Sequence, residues 1–167
     1  MSGAPVLRSM TMPATLAAPS VQDGLEARLV ATIPTVLRHL LAHARRRPAW
    51  RRITYQQYNV LRIIQREGPV GQAAIARRLL VSAPVVTRLA ASLVDAGLVS
   101  RGPNPEDRRA VRLTLTPAGR RRVTAMRRAL LTAAAELLDP LPEERRAAVA
   151  SALEELQVLL PSRPPTR

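Results

Sequence analysis

Apolar residues recur at three- and four-residue steps along most of the chain, and the step shortens to two only once, between Leu98 and Leu115. Steps of three and four line one face of a helix, whereas steps of two line one face of a strand. The chain therefore reads as helices interrupted by a single β-hairpin. The core must be aliphatic, because the 167 residues contain no Phe and only 2 Tyr and 1 Trp. Leu, Val, Ile and Ala suit helices packed through narrow stripes.

From Leu25, the positions Leu25, Leu29, Ile33, Val36, Leu37, Leu40 and Leu41 mark an amphipathic helix that Arg45-Arg46-Arg47-Pro48 ends. Pro34 lies inside it and predicts a kink or a later start, since proline lacks an N–H and crowds the preceding turn. Thr54 is placed to cap a helix from Tyr55 to Glu67 that turns Tyr58, Leu61 and Ile64 inward, and Gly68-Pro69 closes it. A short helix follows from about Gln72 to Leu80, with Ile75, Ala76 and Leu79 as its apolar face. After a tight break at Val81-Ser82, Ser82 can cap a helix that reaches Ala96, with Pro84 in its first turn and Gly97 as its stop. On that helix Val86, Leu89, Ala90 and Leu93 share one face, opposite Pro84, Thr87, Arg88, Ala91 and Asp95. One face packs, and the other is free to read a partner.

The hairpin follows. Leu98-Val99-Ser100-Arg101 reads as its first strand and Gly102-Pro103-Asn104-Pro105 as turn chemistry. Val111, Leu113 and Leu115 alternate with Arg112 and Thr114 as the second strand. Thr116-Pro117 then opens a long helix carrying Val123, Met126, Leu130, Ala133 and Leu137 at near-heptad spacing. Asp139-Pro140-Leu141-Pro142 breaks it. A final helix begins at Glu143-Glu144, with acids at its positive end, and carries Val149, Leu153, Leu156 and Leu160.

Charge is concentrated on one segment. All 26 basic residues are Arg, against 12 acids, for a net charge of +14. Residues 44–128 hold 19 of those arginines but only Glu67, Asp95, Glu106 and Asp107. Such clustering suits a surface that binds a polyanion. With no Cys, the chain has no disulfide, thiolate nucleophile or cysteine-zinc site. A Gly-rich phosphate loop and a carboxylate-histidine cluster are also missing, so the reading is of a protein that is not an enzyme and needs no cofactor. No apolar run approaches the ~18–20 residues that span a bilayer. The first residues lack the apolar stretch of a leader, and the expectation is a disordered tail over 1–22, with Met1, Met10 or Met12 as the start, on a cytoplasmic, nucleoid-associated protein.

Two helices joined by a tight break, with a hairpin after the second, form a winged helix-turn-helix whose second helix enters the major groove. At the hairpin tip, Asp107 can hold Arg108 or Arg109 in a bidentate pair and pre-orient a guanidinium for a narrow minor groove. The expected double-stranded DNA contacts are therefore Arg88, Arg108 and Arg109, with Thr87 able to donate and Pro84 and Val85 suited to thymine methyls. Arg77 and Arg78 are placed to touch phosphate or nothing, and Ser82 and Arg101 complete the DNA-binding set. Arg120, Arg121 and Arg122 read as a solvated face. A basic RNA- or ribosome-associated module is the alternative, although the chain offers no aromatic stacking platform.

The stretches Ile53-Thr54-Tyr55-Gln56-Gln57-Tyr58, Ala74-Ile75-Ala76-Arg77-Arg78-Leu79, Val86-Thr87-Arg88-Leu89 and Gly97-Leu98-Val99 stand in order along the chain. Asp107-Arg108-Arg109-Ala110 and Leu113-Thr114-Leu115-Thr116-Pro117-Ala118-Gly119 follow. Together they resemble the multiple antibiotic resistance regulator (MarR) family over about residues 25–160. The resemblance implies an intertwined homodimer that presents two winged helices to a palindromic operator, most often as a repressor released by a small aromatic or anionic effector. It further implies that His39, Trp50, Tyr55 and Tyr58, near the junction between dimer helices and DNA-binding lobe, are candidate effector residues. Ala83-Pro84-Val85 stands where relatives commonly carry hydroxyls, so the family's operator bases do not carry over.

The expected fold is mainly α with a small β-hairpin wing: a winged helix-turn-helix plus N- and C-terminal dimerisation helices. Its divisions are a tail over 1–22, a dimerisation helix over 23–47, a DNA-binding lobe over 48–116, C-terminal dimerisation helices over 117–160 and a tail over 161–167. Within the lobe the recognition helix covers about 82–96 and the wing about 99–115. His39 and His43 stand one helical turn apart, but with no third ligand in reach no metal site is assigned.

Overall fold

A computed structural model of the chain describes residues 24–103 and 111–160. In order, these are α1 (Leu25–Ala44), a 3-10 turn (Pro48–Trp50), α2 (Tyr55–Glu67), β1 (Val70–Gly71), α3 (Gln72–Leu79) and α4 (Ala83–Asp95). Then come β2 (Val99–Pro103), β3 (Val111–Leu115), α5 (Pro117–Leu138) and α6 (Glu143–Leu159). The arrangement is mainly helical with one small antiparallel sheet, as in winged-helix proteins.

The chain divides after Arg38 into two units. In the first, α1 starts at Leu25 and runs through Pro34, so the later start that Pro34 predicted does not occur. Pro34 and Val30 are both exposed. Water can therefore reach the Val30 carbonyl that the missing N–H leaves unpaired. Leu25, Val30 and Ile33 are exposed as well.

The core belongs to the second unit. Its fully buried large side chains include Leu61 and Ile64 of α2, Ile75 of α3, Val86 and Leu93 of α4, Leu113 of β3 and Met126 of α5. Elements from α2 to α5 thus close on one aliphatic interior, and the expected inward positions Tyr58, Leu61 and Ile64 are all buried. By contrast, α6 buries no residue at all.

The sheet has the order β1-β3-β2. In it Val70 pairs with Leu113, Val99 with Leu115 and Pro103 with Val111. The hairpin is thus joined by a third strand of two residues that no alternation announces. Gly102 and Pro103, expected in the turn, instead extend β2. The outer position of β2 tolerates this, because an edge strand can accept a residue without a ladder N–H.

Helix ends follow from local chemistry. Thr54 forms a capping box with Gln57: the Thr54 hydroxyl accepts from the Gln57 N–H at 3.2 Å, and Gln57 Oε1 accepts from the Thr54 N–H at 2.7 Å. The Thr116 hydroxyl accepts from the Gly119 N–H at 3.0 Å and opens α5. Expected to reach Leu80, α3 ends at Leu79, and Leu80 takes the left-handed conformation at φ 53° that reverses the chain toward α4. Gly97, at φ 66°, turns the chain from α4 into β2.

Candidate nucleic-acid interface

α4 is amphipathic in the sense its sequence predicts. Val86, Ala90 and Leu93 are buried, Leu89 is half-buried, and Pro84, Thr87 and Arg88 are exposed. Val85 lies between the two faces and is half-buried. Ser82 occupies the N-cap position, but its side chain makes no capping hydrogen bond. The reason is that Ala83 and Pro84 open the helix, and proline removes one of the N–H groups a cap would serve. The Ser82 hydroxyl is consequently exposed in front of the helix.

Thr87 departs from its expected role as a donor. Its hydroxyl lies 3.0 Å from Gln72 Oε1 and 3.1 Å from the Ala83 carbonyl oxygen, both acceptors. A hydroxyl carries one proton, which these two oxygens hold between them. What remains for a partner is a lone pair and a methyl group.

The arginines separate by environment. Arg88 and Arg77 are exposed, and Arg101 is exposed on β2 across from Leu113. Arg78 is drawn back onto Glu67, with which it forms a hydrogen-bonded ion pair that ties α3 to the end of α2. Asp107, Arg108 and Arg109 lie outside the described residues. Half-buried Arg122 corrects the reading of a solvated face, whereas Arg120 is exposed as expected. Arg120 Nη1 donates to the Leu115 carbonyl at 2.8 Å, and Arg122 Nη1 donates to the carbonyls of Pro48 and Ala49 at 3.2 and 3.3 Å. Both therefore brace α5 against its neighbours; Arg121 is exposed.

The junction residues form a packed aromatic group. Trp50 and Tyr58 have ring centroids 5.2 Å apart, and Tyr55 and Tyr58 lie 6.1 Å apart. Trp50 is buried and its Nε1 donates to the Met126 carbonyl at 3.2 Å. Tyr58 is buried too, and that burial raises its phenol above the ordinary value near 10, partly offset by Arg62 and Arg127. Tyr55 is half-exposed. His39 stacks near His43 at 4.2 Å, and His43 Nδ1 sits 2.9 Å from the His39 carbonyl. A separate cavity of about 260 Å³ is lined by His43, Arg46, Arg47, Thr132 and Glu136 above Ala129 and Ala133. Arg47 and Glu136 in its lining form an exposed ion pair at 3.6 Å. None of the four expected effector residues lines this cavity. Among the described residues, no three His, Asp or Glu side chains gather as a metal site, and no helix is long and apolar enough to cross a membrane.

Two glutamines went unassigned from sequence. Gln57, which is buried, caps α2 and donates from Nε2 to Ser92 Oγ on α4 at 2.7 Å. Its cue was the Thr54-x-x-Gln57 spacing of a capping box. Gln72 meets Thr87 across 15 positions of sequence, for which no local cue exists.

Comparison with known proteins agrees with this geometry. The profile of the MarR family matches residues 53–111. An uncharacterized HTH-type transcriptional regulator of Mycobacterium bovis, Mb0904, is 32% identical over 139 residues, covering 83% of this chain and 97% of the relative. The HTH-type transcriptional regulator MT0903.1 of Mycobacterium tuberculosis matches to the same extent. Among solved structures, RV1404 from Mycobacterium tuberculosis aligns with a TM-score of 0.68 at 28% identity, over 87% of this chain and 97% of that one. The apo form of MarR from E. coli aligns with a TM-score of 0.67 at 25% identity, over 77% and 96%.

Proposed function

This chain belongs to the MarR family of DNA-binding transcriptional regulators, and from that premise we propose that it is a ligand-responsive repressor which binds a palindromic promoter operator as a homodimer. The observation that carries the DNA-reading part is the two-sided α4: Val86, Ala90 and Leu93 are sealed in the core, while Pro84, Thr87 and Arg88 face outward together. A helix held from behind in this way can enter a major groove without losing its own packing.

On this reading Arg88 contacts a base edge or phosphate, Val85 and Pro84 contact thymine methyls, and Ser82, Arg77 and Arg101 contact the backbone. Arg78 joins them only to the extent that Glu67 releases it. Arg108 and Arg109, oriented by Asp107, enter the minor groove from the wing tip. The lobe is 48–116; the segments 23–47 and 117–160 serve pairing.

Two features support the dimer. Leu25, Val30 and Ile33 of α1 are exposed, and so are Leu153, Leu159 and Leu160 at the end of α6. Apolar stripes of this extent bury themselves against a partner. Ligand release needs no chemistry: an aromatic or anionic effector near Tyr55, Tyr58, Trp50 and His39 that prefers a different spacing of the two reading heads draws the population away from the DNA-bound form. Such a regulator acts on the chromosome, in the cytoplasm.

The test is selection of bound fragments from the host's own genome by the purified protein, with its mass in solution measured alongside. The expected result is a dimer that enriches promoter fragments carrying two half-sites about one helical turn, ~10 bp, apart. A monomer, or a protein that prefers structured RNA to every duplex, defeats the proposal.

A further inference from the structure

We infer that Gln72 is a specificity-determining residue: it holds the Thr87 hydroxyl as an acceptor and so selects a base that offers an amino group in the major groove. The inference rests on the reading of α4 as the recognition helix. It adds a residue from a different helix, and a direction of hydrogen bonding, that the family resemblance does not supply.

The Thr87 hydroxyl has a single proton. It points to Gln72 Oε1 at 3.0 Å and to the Ala83 carbonyl at 3.1 Å, the acceptor one turn back on the same helix. A helical threonine with that second partner alone can either bond the carbonyl or turn its hydroxyl outward. Here a side chain from the first position of α3 supplies a further acceptor. Together the two oxygens keep the proton turned in, and the exposed lone pair of Thr87 turned out.

In the major groove, adenine N6 and cytosine N4 are donors, whereas guanine O6 and thymine O4 are acceptors. A hydroxyl locked as an acceptor welcomes the amino bases. Against a keto base it must break its bond to Gln72 or leave two acceptors face to face. Gln72 itself stays available, because its Nε2 group has no partner among the described residues.

The experiment selects duplexes from a randomised pool with the wild-type protein and with the Gln72→Leu, Gln72→Glu, Thr87→Val and Arg88→Ala variants, each also checked for thermal stability. The wild type is expected to favour A or C over G or T by about fivefold at one position of each half-site. Thr87→Val removes that preference. Gln72→Leu reduces it to less than twofold without lowering the melting temperature, since Gln72 is only partly buried. Gln72→Glu keeps an acceptor in place, so it retains the base preference while its negative charge weakens binding to all duplexes. The inference is overturned if Gln72→Leu leaves the preference intact where Thr87→Val abolishes it. It also fails if the wild type favours a keto base at the position that responds to Thr87. Should neither Thr87→Val nor Arg88→Ala change the selected sequence, the assignment of α4 as the reading helix fails, and this inference falls with it.

Discussion

Thr87 and Arg88 are neighbours on α4, yet they present opposite hydrogen-bonding characters to a groove. Thr87 has its proton turned inward, while Arg88 carries five donors and no acceptor. Arg88→Ala is therefore expected to lower operator affinity by about 1–3 kcal/mol and relax preference at the base it contacts, measured by titration of selected and scrambled duplexes. A second residue-scale prediction concerns fold rather than reading. A Cβ built at Gly119 falls 2.0 Å from the Leu98 carbonyl oxygen, a backbone atom that cannot turn aside. Gly119→Ala is expected to destabilise the protein by about 1–3 kcal/mol or more, seen as a lower midpoint in urea at unchanged slope. The same sequence position was legible as part of Thr116-Pro117-Ala118-Gly119, but only the packing of α5 on Leu98 shows why glycine stands there.

At the scale of elements, what could be read from sequence is what nearest neighbours decide. Thr54 and Thr116 cap α2 and α5 through residues three positions away, and Gly97 ends α4 with a local twist. The features that escaped depend on residues far apart. β1 is two residues long and is a strand only because Val70 pairs with Leu113; Arg122 reaches carbonyls 73 and 74 positions back. Ser82 shows a third limit, for its position was legible and its missing cap bond was not. The candidate site divides the same way: the exposed face of α4 follows from periodicity, while the withdrawal of Arg78 onto Glu67 and the bracing of Thr87 by Gln72 follow from the meeting of helices. The capping box of α2 gives an element-scale prediction. Thr54→Ala removes an acceptor for the Gln57 N–H, and a loss of about 1 kcal/mol is expected. Gln57→Leu is expected to cost more than Thr54→Ala in the same thermal melt, because it also strips Ser92 on α4 of its donor.

For the whole molecule, the proposed dimer and its charge set two measurable expectations. Leu153→Glu combined with Leu159→Glu puts carboxylates on the exposed apolar end of α6, where no residue is buried in the single chain. The variant is expected to sediment as a monomer, keep its helical content and lose at least tenfold in operator affinity, since one reading head then binds without its partner. Salt supplies the other expectation. With a net charge of +14 and its excess concentrated over residues 44–128, the protein is expected to lose affinity linearly on a log–log plot, with a slope near −0.9 per phosphate neutralised. A flat response between low and physiological salt contradicts a phosphate-anchored interface.

The seam at Gly97–Leu98 bears on how any such regulator responds. The Thr116 hydroxyl donates to the Gly97 carbonyl at 2.8 Å, the Thr116 N–H donates to the Leu98 carbonyl at 3.1 Å, and Gly119 lies flush against that same oxygen. The end of α4, the stalk of the hairpin and the root of α5 are thereby tied together by hydrogen bonds among three residues. The 22 residues of α5 make a rod about 33 Å long, so a tilt of about 5° at its root carries its far tip ~3 Å. On the proposed function, a small displacement of that tip would reach α4 as an angular change through the Thr116 bonds.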